Sequence, residues 1–494
     1  MVDFIKKHKY QIILWIFIIA YILYFSFLTI LRYRTLYASY FDLGIMNQTV
    51  YNTYKGIVTK DPSRILEMTD ADSPNQIKRM AIHSDILLAL LAPFYLIHPG
   101  PDTLLVIQSV VAAFGALFLF KIVQEILKKH KQKDFLALVF SFAYLLYPAA
   151  ERENIFDFHA VTLATTLLLA MFYFWLKRRH KLSFLFFILS ILTKEEVGLI
   201  TALFGFYALF TAWKNNKHKK DVIYPLAIII ISIVWFVLTV FIITPYFRGG
   251  HHFAVTRYTD FGDSPIRIII GVLKSPYSVF KYLVQPDSLL YFLFLLGPLG
   301  FISILSPIQL LISAPEFAIN LLSNNSLMRS INFQYTAVIT PFIFISAVFA
   351  AQKILNKYNK VKKIGWIFGC VLLGFSLIFA YFKGPLPYSR EQDIHPLKYP
   401  QAEAKEVAFW ANVLKDDNLK ISTTGQLAPV FTSRRYFYIF SRYYGYADYV
   451  ILRTKEVFEY PEKNDLIPVY KQLQRDRRYE IIYKNGELEV YKKI

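Results

Sequence analysis

The chain contains very little cysteine and few acidic residues for its size. Its single cysteine, Cys370, lies inside the apolar run 364–382, so the 494-residue sequence predicts neither a disulfide framework nor a cysteine metal site. Asp and Glu number 35 against 55 Lys and Arg, which gives a formal net charge of +20. The basic residues lie in short clusters between apolar segments, where they set membrane topology. We therefore expect no nucleic-acid partner.

A cleavable signal and an internal repeat are also missing. The first apolar run, residues 10–31, is too long for a signal peptide, and no small-residue cleavage site follows it. The chain is 55% hydrophobic and 17% aromatic, well above a soluble domain of ordinary composition. The composition predicts a polytopic membrane protein at the plasma membrane, with about eleven runs that could each cross a ~30 Å hydrocarbon layer.

Basic clusters orient these runs. Lysines at positions 6, 7 and 9 precede the first run, and further clusters lie at 128–131, 177–181, 214–220 and 357–363. Lysine and arginine are retained on the cytoplasmic side. We therefore expect a cytoplasmic N-terminus, and we expect Asp42, in the motif Tyr-Phe-Asp-Leu-Gly after the first run, to lie outside.

The pattern changes after the last apolar run. Residues 1–382 predict an all-α polytopic membrane domain, whereas residues 383–494 carry short apolar runs that alternate with charges. This second part predicts a small extracytoplasmic α/β domain of ~100 residues. Its expected helices are 401–414 and 466–475, and its expected strands are 419–423, 436–439, 449–452, 479–483 and 488–491.

Most of the unusual ionisable residues are expected on the outer side. Ionisable groups at membrane depth are costly and usually functional, and the lysine clusters that fix the orientation are independent of these motifs. The convergence therefore predicts an outer-face site. Its candidate residues are Asp42, His83, Asp157, His159, Lys194, Glu195, Glu196, His251, His252, Arg257, Tyr258 and Glu316.

Each motif has a structural and a functional interpretation. The Asp-Phe-His motif at 157–159 suits a metal or a carboxylate-oriented imidazole, or it only shapes its loop. The Lys-Glu-Glu motif at 194–196 offers an ion pair and one spare carboxylate. The Arg-Tyr pair at 257–258 offers a fork for phosphate and an aromatic face, or it faces anionic head groups.

The order of these motifs resembles a known family. It runs from Phe-Asp-Leu-Gly at 41–44 through a histidine before Ala-Pro-Phe-Tyr at 92–95, Asp-Phe-His, Thr-Lys-Glu and Arg-Tyr to Ala-Pro-Glu at 314–316. Over residues 10–380 this order is similar to a prokaryotic family of uncharacterised integral membrane proteins with a domain of unknown function. That family in turn resembles the GT-C glycosyltransferases, which include protein mannosyltransferases and the lipid A aminoarabinose transferase.

The resemblance implies a GT-C-like fold and an outer-face glycosyltransferase that uses a polyprenyl-phosphate sugar as donor. It makes Asp42 the base of an inverting reaction and gives Asp157, with Glu153 beside it, the place of the second acid; Glu195 is a further catalytic candidate. Since Phe-Asp-Leu replaces the usual Asp-Glu or Asp-x-Asp pair, no cofactor is certain and a divalent metal stays open. Arg257 or Lys194 would stabilise the departing lipid phosphate.

Two other function classes remain as alternatives. A transporter or lipid flippase usually places its coupling charges near the bilayer midplane, in repeated halves. Here the charges lie at the outer ends of the runs. A third possibility is an outer-surface binding protein whose C-terminal domain carries the function. The acceptor, whether glycan, lipid or protein, stays open.

Overall fold

The computed structural model describes residues 2–214, 219–250 and 252–494, which are mainly helical. His251 lies outside the described residues. Apolar runs form helices because a chain in hydrocarbon must satisfy each backbone N–H and C=O within the segment. The first helices are α1 Val2–Arg34, α2 Ile45–Thr59, α3 Leu87–Leu91, α4 Pro101–Ile126, α5 Lys133–Leu145, α6 Pro148–Ile155, α7 Ala164–Leu176, α8 His180–Ile191, α9 Val197–Lys214, α10 Lys219–Leu238 and α11 Thr244–Arg248. The others are α12 Pro265–Lys274, α13 Pro276–Leu283, α14 Pro286–Leu296, α15 Pro307–Leu310, α16 Ala314–Leu321, α17 Thr340–Lys357, α18 Ile364–Lys383, α19 His395–Lys398, α20 Ala404–Val413, α21 Ala428–Phe431, α22 Thr454–Glu459 and α23 Lys463–Leu473.

Within the described ranges, five helices are long and apolar enough to cross a membrane, or seven if two bent helix pairs each count as one span. The chain is thus a multi-pass membrane protein, but the expected count of about eleven spans is not confirmed. One reason is length: α7 has 13 residues and α8 has 12, fewer than the ~20 that a straight spanning helix needs.

A second reason for the lower number of spans is that the helices between residues 286 and 322 are interrupted. The sequence predicts two continuous helices here, 289–305 and 308–322, and the structure replaces them with α14, α15, α16 and short 3₁₀ turns. Gly300 and Phe301 adopt left-handed φ angles of +60° and +58°. Pro307 and Pro315 each lie in the first turn of a new short helix, because proline lacks an amide donor and is tolerated there but not in a helix interior.

The segment after α1 contains an element that sequence did not predict. Two short strands, β1 Glu67–Thr69 and β2 Gln76–Lys78, pair antiparallel, so residues 1–382 are not wholly helical. Asp70 shapes the connecting turn by accepting hydrogen bonds from the Asp72 amide and the Ser73 hydroxyl. Such local bonds make aspartate and serine frequent in turns.

The C-terminal part forms a five-stranded sheet in the order β4-β3-β5-β7-β6. Strand β3 pairs parallel with β4 and β5, whereas β7 pairs antiparallel with β5 and β6. The strands are β3 Ile421–Thr423, β4 Phe437–Ile439, β5 Tyr449–Arg453, β6 Tyr479–Asn485 and β7 Leu488–Lys493. All five lie where their alternating pattern predicts them, and α20 and α23 match the two predicted helices closely.

The sheet packs against the segment that follows α1. One hydrophobic cluster joins Leu36, Tyr40 and Met68 to Phe431 and Phe437. Polar contacts cross the same boundary. The side-chain amides of Asn47 and Gln48 donate to the Thr432 hydroxyl and to the Arg435 carbonyl, each at 2.9 Å. The Arg435 side chain forms an ion pair with Glu67 at 3.0 Å. The chain around Asp42 is therefore held between the helical bundle and the sheet, and a domain boundary at residue 382 stays a prediction.

Candidate functional site

A cavity of about 630 Å³ opens where the segment after α1 meets the loops that precede α7, α9 and α12. Charged and imidazole side chains line much of its wall. They are Asp42, Asp70, Asp72, Arg79, His83, Asp85, His159, Lys194, Arg248 and Arg257. Five of these were predicted site residues: Asp42, His83, His159, Lys194 and Arg257.

Asp42 is fixed by two hydrogen bonds. It lies on a π-helical turn, Tyr40–Gly44, that follows the extended residue Ser39. The Ser39 hydroxyl donates to Asp42 Oδ2 at 3.0 Å, and His159 Nε2 lies 2.9 Å from Asp42 Oδ1. The Asp42 side chain is 22% exposed toward the cavity. The carboxylate is thus oriented and still accessible.

Asp157 lies directly behind Asp42. Its Oδ2 accepts the backbone N–H of Ser39 at 3.0 Å, so Ser39 joins the two carboxyl groups. Burial, and next the charge of Asp42, raise the pKa of Asp157 well above its usual value. Its φ of +133° is rare for a residue with a side chain, and such strain is typical of functional sites.

Gln108 of α4 holds the strained loop in place. Its amide donates to the Asp157 carbonyl at 2.9 Å, and its Oε1 accepts the backbone N–H of His159 at 3.1 Å. The His159 ring stacks on Phe156, with ring planes 7° apart. Gln108 and Ser39 are supports that sequence reasoning missed, since neither belongs to a charged motif.

His159 is nearly buried, and its two ring nitrogens have different surroundings. Nε2 faces the Asp42 carboxylate, while Nδ1 is buried without a hydrogen-bond partner among the described residues. A neutral imidazole in this place carries its proton on Nε2 and donates it to Asp42. His159 therefore orients Asp42, which comes from another segment of the chain. The carboxylate of the Asp-Phe-His motif itself, Asp157, binds the Ser39 amide instead of the His159 ring.

A second polar group, which we call the imidazole cluster, consists of His83, Glu195 and His252. The three residues come from the β2–α3 connection, the α8–α9 loop and the α11–α12 connection. His83 Nδ1 lies 2.8 Å and His252 Nε2 2.9 Å from the same atom, Glu195 Oε1. The other carboxylate oxygen accepts the Ser84 amide at 3.0 Å. Burial lowers the pKa of His83 to about 3, so this imidazole is neutral near neutral pH.

The remaining residues of the Lys-Glu-Glu motif form a separate pair. Lys194 Nζ binds Glu196 Oε1, and Lys194 reaches the cavity wall. Glu316 of α16 is buried within electrostatic range of both. Its Oε2 finds no hydrogen-bond donor in the part of the chain that the structure describes. Lys194 is therefore the member of this group that a substrate in the cavity can contact.

The side chains of Arg257 and Tyr258 make contacts in different parts of the structure. The Arg257 guanidinium lies over the Phe253 ring, 5.3 Å from its centroid, and lines the cavity. The Tyr258 hydroxyl instead donates to the Ile319 carbonyl at 2.8 Å. The position of Tyr258 therefore indicates packing of its segment against α16. Glu153 of α6 is also directed elsewhere, since it is buried and accepts from the Thr336 hydroxyl at 3.4 Å.

Sequence reasoning also missed acidic and basic residues on the cavity wall. Arg79 and Asp85 form a buried ion pair, with two 3.0 Å contacts from Arg79 Nε to the carboxylate. Asp70 and Asp72 lie in the β1–β2 turn and contribute two further carboxylates. The only sequence signal was a cluster of turn residues, which predicts a turn and carries no information on a cavity.

Comparisons with known proteins agree with this architecture. A family model described as "Predicted membrane protein (DUF2079)" matches residues 32–490. No curated protein sequence matches the chain significantly. The solved structure of ArnT from Cupriavidus metallidurans bound to undecaprenyl phosphate has a TM-score of 0.53 at 10% identity, and the match covers 97% of this chain and 98% of ArnT.

A second solved structure is similar at a lower score. The oligosaccharyltransferase AglB from Archaeoglobus fulgidus, in complex with an inhibitory peptide and a dolichol-phosphate, has a TM-score of 0.49 at 10% identity, and the match covers 99% of this chain and 75% of AglB. At 10% identity the likeness to ArnT shows the fold alone. The fold shared with ArnT confirms the predicted GT-C resemblance. Because the family model covers nearly all of the sequence, the chain belongs to the DUF2079 family of predicted membrane proteins.

Proposed function

We propose that the protein is a membrane glycosyltransferase that moves a sugar from a polyprenyl-phosphate donor to an acceptor hydroxyl on the extracytoplasmic face. The observation that carries the proposal is that one cavity contains both an oriented carboxylate, Asp42, and two cationic side chains, Lys194 and Arg257. Asp42 is held by His159 and Ser39, while Lys194 and Arg257 lie on the same wall. The fold shared with ArnT, whose structure contains undecaprenyl phosphate, supports a lipid-phosphate partner.

The chemistry follows from these charges. The acceptor hydroxyl gives its proton to Asp42 as its oxygen bonds to the anomeric carbon. The bond between that carbon and the phosphate oxygen breaks, and the electron pair leaves with the lipid phosphate. Arg257 and Lys194 stabilise the negative charge on the departing phosphate. A single displacement of this kind inverts the anomeric configuration.

The other predicted residues have supporting roles. Asp157 and Ser39 position Asp42, and Glu195 positions His83 at the cavity wall. Glu196 and Glu316 set the charge around Lys194, and Tyr258 fixes the loop of Arg257. Glycosidases that use two carboxylates place them on either side of the scissile bond. Here Asp42 lines the cavity and Asp157 does not, so the two carboxylates do not flank a bound substrate. The proposed single displacement needs one base, Asp42.

We also propose a membrane topology for the chain. The N-terminus lies in the cytoplasm, and the cavity and the C-terminal sheet lie outside. The five long helices, together with α5, α7, α8, α17 and the two arms of the broken region around α14–α16, give a total of about eleven crossings. Residues 1–382 then form the membrane domain and residues 383–494 the extracytoplasmic domain.

The test is a transfer assay with the purified full-length protein in liposomes. Candidate donors are polyprenyl phosphates that carry different labelled sugars, supplied with a mixture of envelope glycans, lipids and peptides as acceptors. The proposal predicts that one donor is consumed, with release of free polyprenyl phosphate and label in a new glycoside of inverted configuration. Movement of the intact lipid across the bilayer without cleavage would instead identify a flippase and overturn the proposal.

A further inference from the structure

The imidazole cluster brings together three groups that are typical metal ligands. His83, Glu195 and His252 come from three separate connections of the chain, and their ligand atoms all lie within 4.8 Å of one another. The three residues are distant in sequence, so tertiary folding brings them together. Two imidazole nitrogens and one carboxylate oxygen form the ligand set of many catalytic zinc sites.

The charge around the cluster supports a cation. Two neighbouring ion pairs, Arg79 with Asp85 and Lys194 with Glu196, are internally neutral. Glu195 is 4% exposed and, among the described residues, contacts no lysine or arginine within ion-pair distance. A buried carboxylate normally needs a compensating charge. Glu195 thus brings a buried carboxylate that has no lysine or arginine partner among the described residues to the point where two imidazole rings meet.

From this arrangement we propose that His83, Glu195 and His252 bind a divalent transition-metal ion of the zinc class at the wall of the cavity. Ligands of mixed nitrogen and oxygen type favour zinc and its neighbours over magnesium or calcium. His83 itself lines the cavity, so a bound ion would add positive charge beside Lys194. This inference does not depend on the proposed transfer reaction, because it concerns binding alone.

Ion binding requires a defined change in proton positions. His252 Nδ1 accepts the Ala254 amide at 3.2 Å, so a neutral ring would carry its proton on Nε2, which lies 2.9 Å from Glu195. When Nε2 binds an ion, that proton moves to Nδ1, which can no longer accept from Ala254. The turn at residues 252–254 must then release this hydrogen bond. His83 keeps its proton by moving it from Nδ1 to Nε2.

The experiment uses full-length protein purified in detergent, stripped with a chelator and titrated with Zn²⁺ against a chromophoric competitor. Bound metal is counted by mass spectrometry in wild type, His252→Ala and Glu195→Gln. The matched control is His98→Ala, which removes an exposed histidine before α4. We expect about one tightly bound ion per chain in wild type and in the control. Loss of one ligand should weaken binding at least about 100-fold, since even outer-shell changes cost 10- to 100-fold.

A second measurement guards against misfolded variants. Unmutated protein loaded with Co²⁺ should show the visible d–d bands of a low-coordinate site with imidazole ligands, and hydrogen exchange at the Ala254 amide should accelerate. Wild type that binds clearly less than one ion, or His252→Ala and His98→Ala with the same affinity, would overturn the proposal. Either result would leave the cluster as a hydrogen-bonded support for His83, and the transferase proposal would be unaffected.

Discussion

At the scale of single residues, the candidate site is built on a carboxylate that is held on both oxygens. Ser39 donates to one oxygen of Asp42, and His159 contacts the other. The same serine binds Asp157 through its backbone. When a general base is already oriented before the substrate binds, less of the substrate's binding energy is needed to bring the reacting groups into position. The residue with the strained backbone, Asp157, lies on the other side of this serine.

Asp157 should make the stability of the protein depend on pH. Because its pKa is raised in the folded state, the folded protein binds more protons than the unfolded chain above the ordinary aspartate pKa of about 3.9. Stability therefore falls as pH rises through the range between the two pKa values. Asp157→Asn cannot ionise, and its amide oxygen can still accept the Ser39 N–H.

We expect the unfolding temperature of wild type to fall more steeply than that of Asp157→Asn as the pH rises above the ordinary aspartate pKa of about 3.9. Thermal unfolding in detergent at several pH values measures this slope. Asp263→Asn is the matched control, because Asp263 is 72% exposed and, among the described residues, its one ion-pair partner is Arg267. Parallel curves for wild type and Asp157→Asn would show that Asp157 is ionised in the folded protein.

The sequence predicts those features of the site that follow from local patterns, and it does not predict those that depend on contacts between distant segments. Lysine clusters orient whole helices, and that orientation alone predicts that Asp42, His83 and Arg257 lie on one side; the structure places all three on one cavity wall. Their roles stay predictions. Ser39 and Gln108 were missed because their importance comes from hydrogen bonds between distant segments, which no local pattern records.

At the scale of elements, the most informative contact joins the C-terminal sheet to the segment that carries Asp42. Periodicity predicted each strand, since alternation along a strand is a local property. It could not predict that β4 and its neighbours pack on Tyr40 and Met68, because both partners are ordinary apolar residues. The breaks around α14–α16 were likewise missed, since proline positions show where a helix begins but not how far the chain turns.

Arg435 should be important for this contact. It donates to both oxygens of Glu67, at 3.0 and 3.1 Å, and Glu67 is buried. In Arg435→Ala the Glu67 carboxylate remains buried, so the free-energy cost of removing it from water is no longer offset by hydrogen bonds to Arg435. Hydrogen bonds to charged groups contribute about 1.5–3 kcal/mol, so we expect a loss of stability of that order.

Limited proteolysis and thermal unfolding measure the effect, and we expect cleavage to appear first near the sheet boundary. Arg442→Ala is the control, because Arg442 is exposed and lies over the ring of the adjacent Tyr443. If Arg435→Ala and Arg442→Ala were equally resistant, the ion pair with Glu67 would not stabilise the contact. The packing of Tyr40 and Met68 would then account for it alone.

At the scale of the whole molecule, the proposal depends on which side of the membrane the cavity faces. Basic clusters predict that the α17–α18 turn is cytoplasmic and that the connection between α11 and α12 is outside. The single native cysteine makes a direct test simple, since Cys370→Ser yields a background without thiols.

In that background, Asp263→Cys should react with a membrane-impermeant maleimide in intact cells. Lys360→Cys should react only after permeabilisation. Both positions are exposed, so access to the reagent depends on the membrane and not on burial. Labelling of Lys360→Cys from outside, with Asp263→Cys protected, would invert the topology and place the cavity in the cytoplasm.

The central claim is that Asp42 is the base of a sugar transfer, and the rate of transfer by Asp42→Asn tests it most directly. Asparagine keeps the size of the side chain and one oxygen acceptor but cannot take the acceptor proton. Loss of a positioned general base costs about 10²- to 10⁴-fold in rate, so the account predicts a fall of that size in kcat. Donor binding should change little, because Lys194 and Arg257 are intact, and Asp263→Asn should match wild type. Transfer by Asp42→Asn at the wild-type rate would contradict the account.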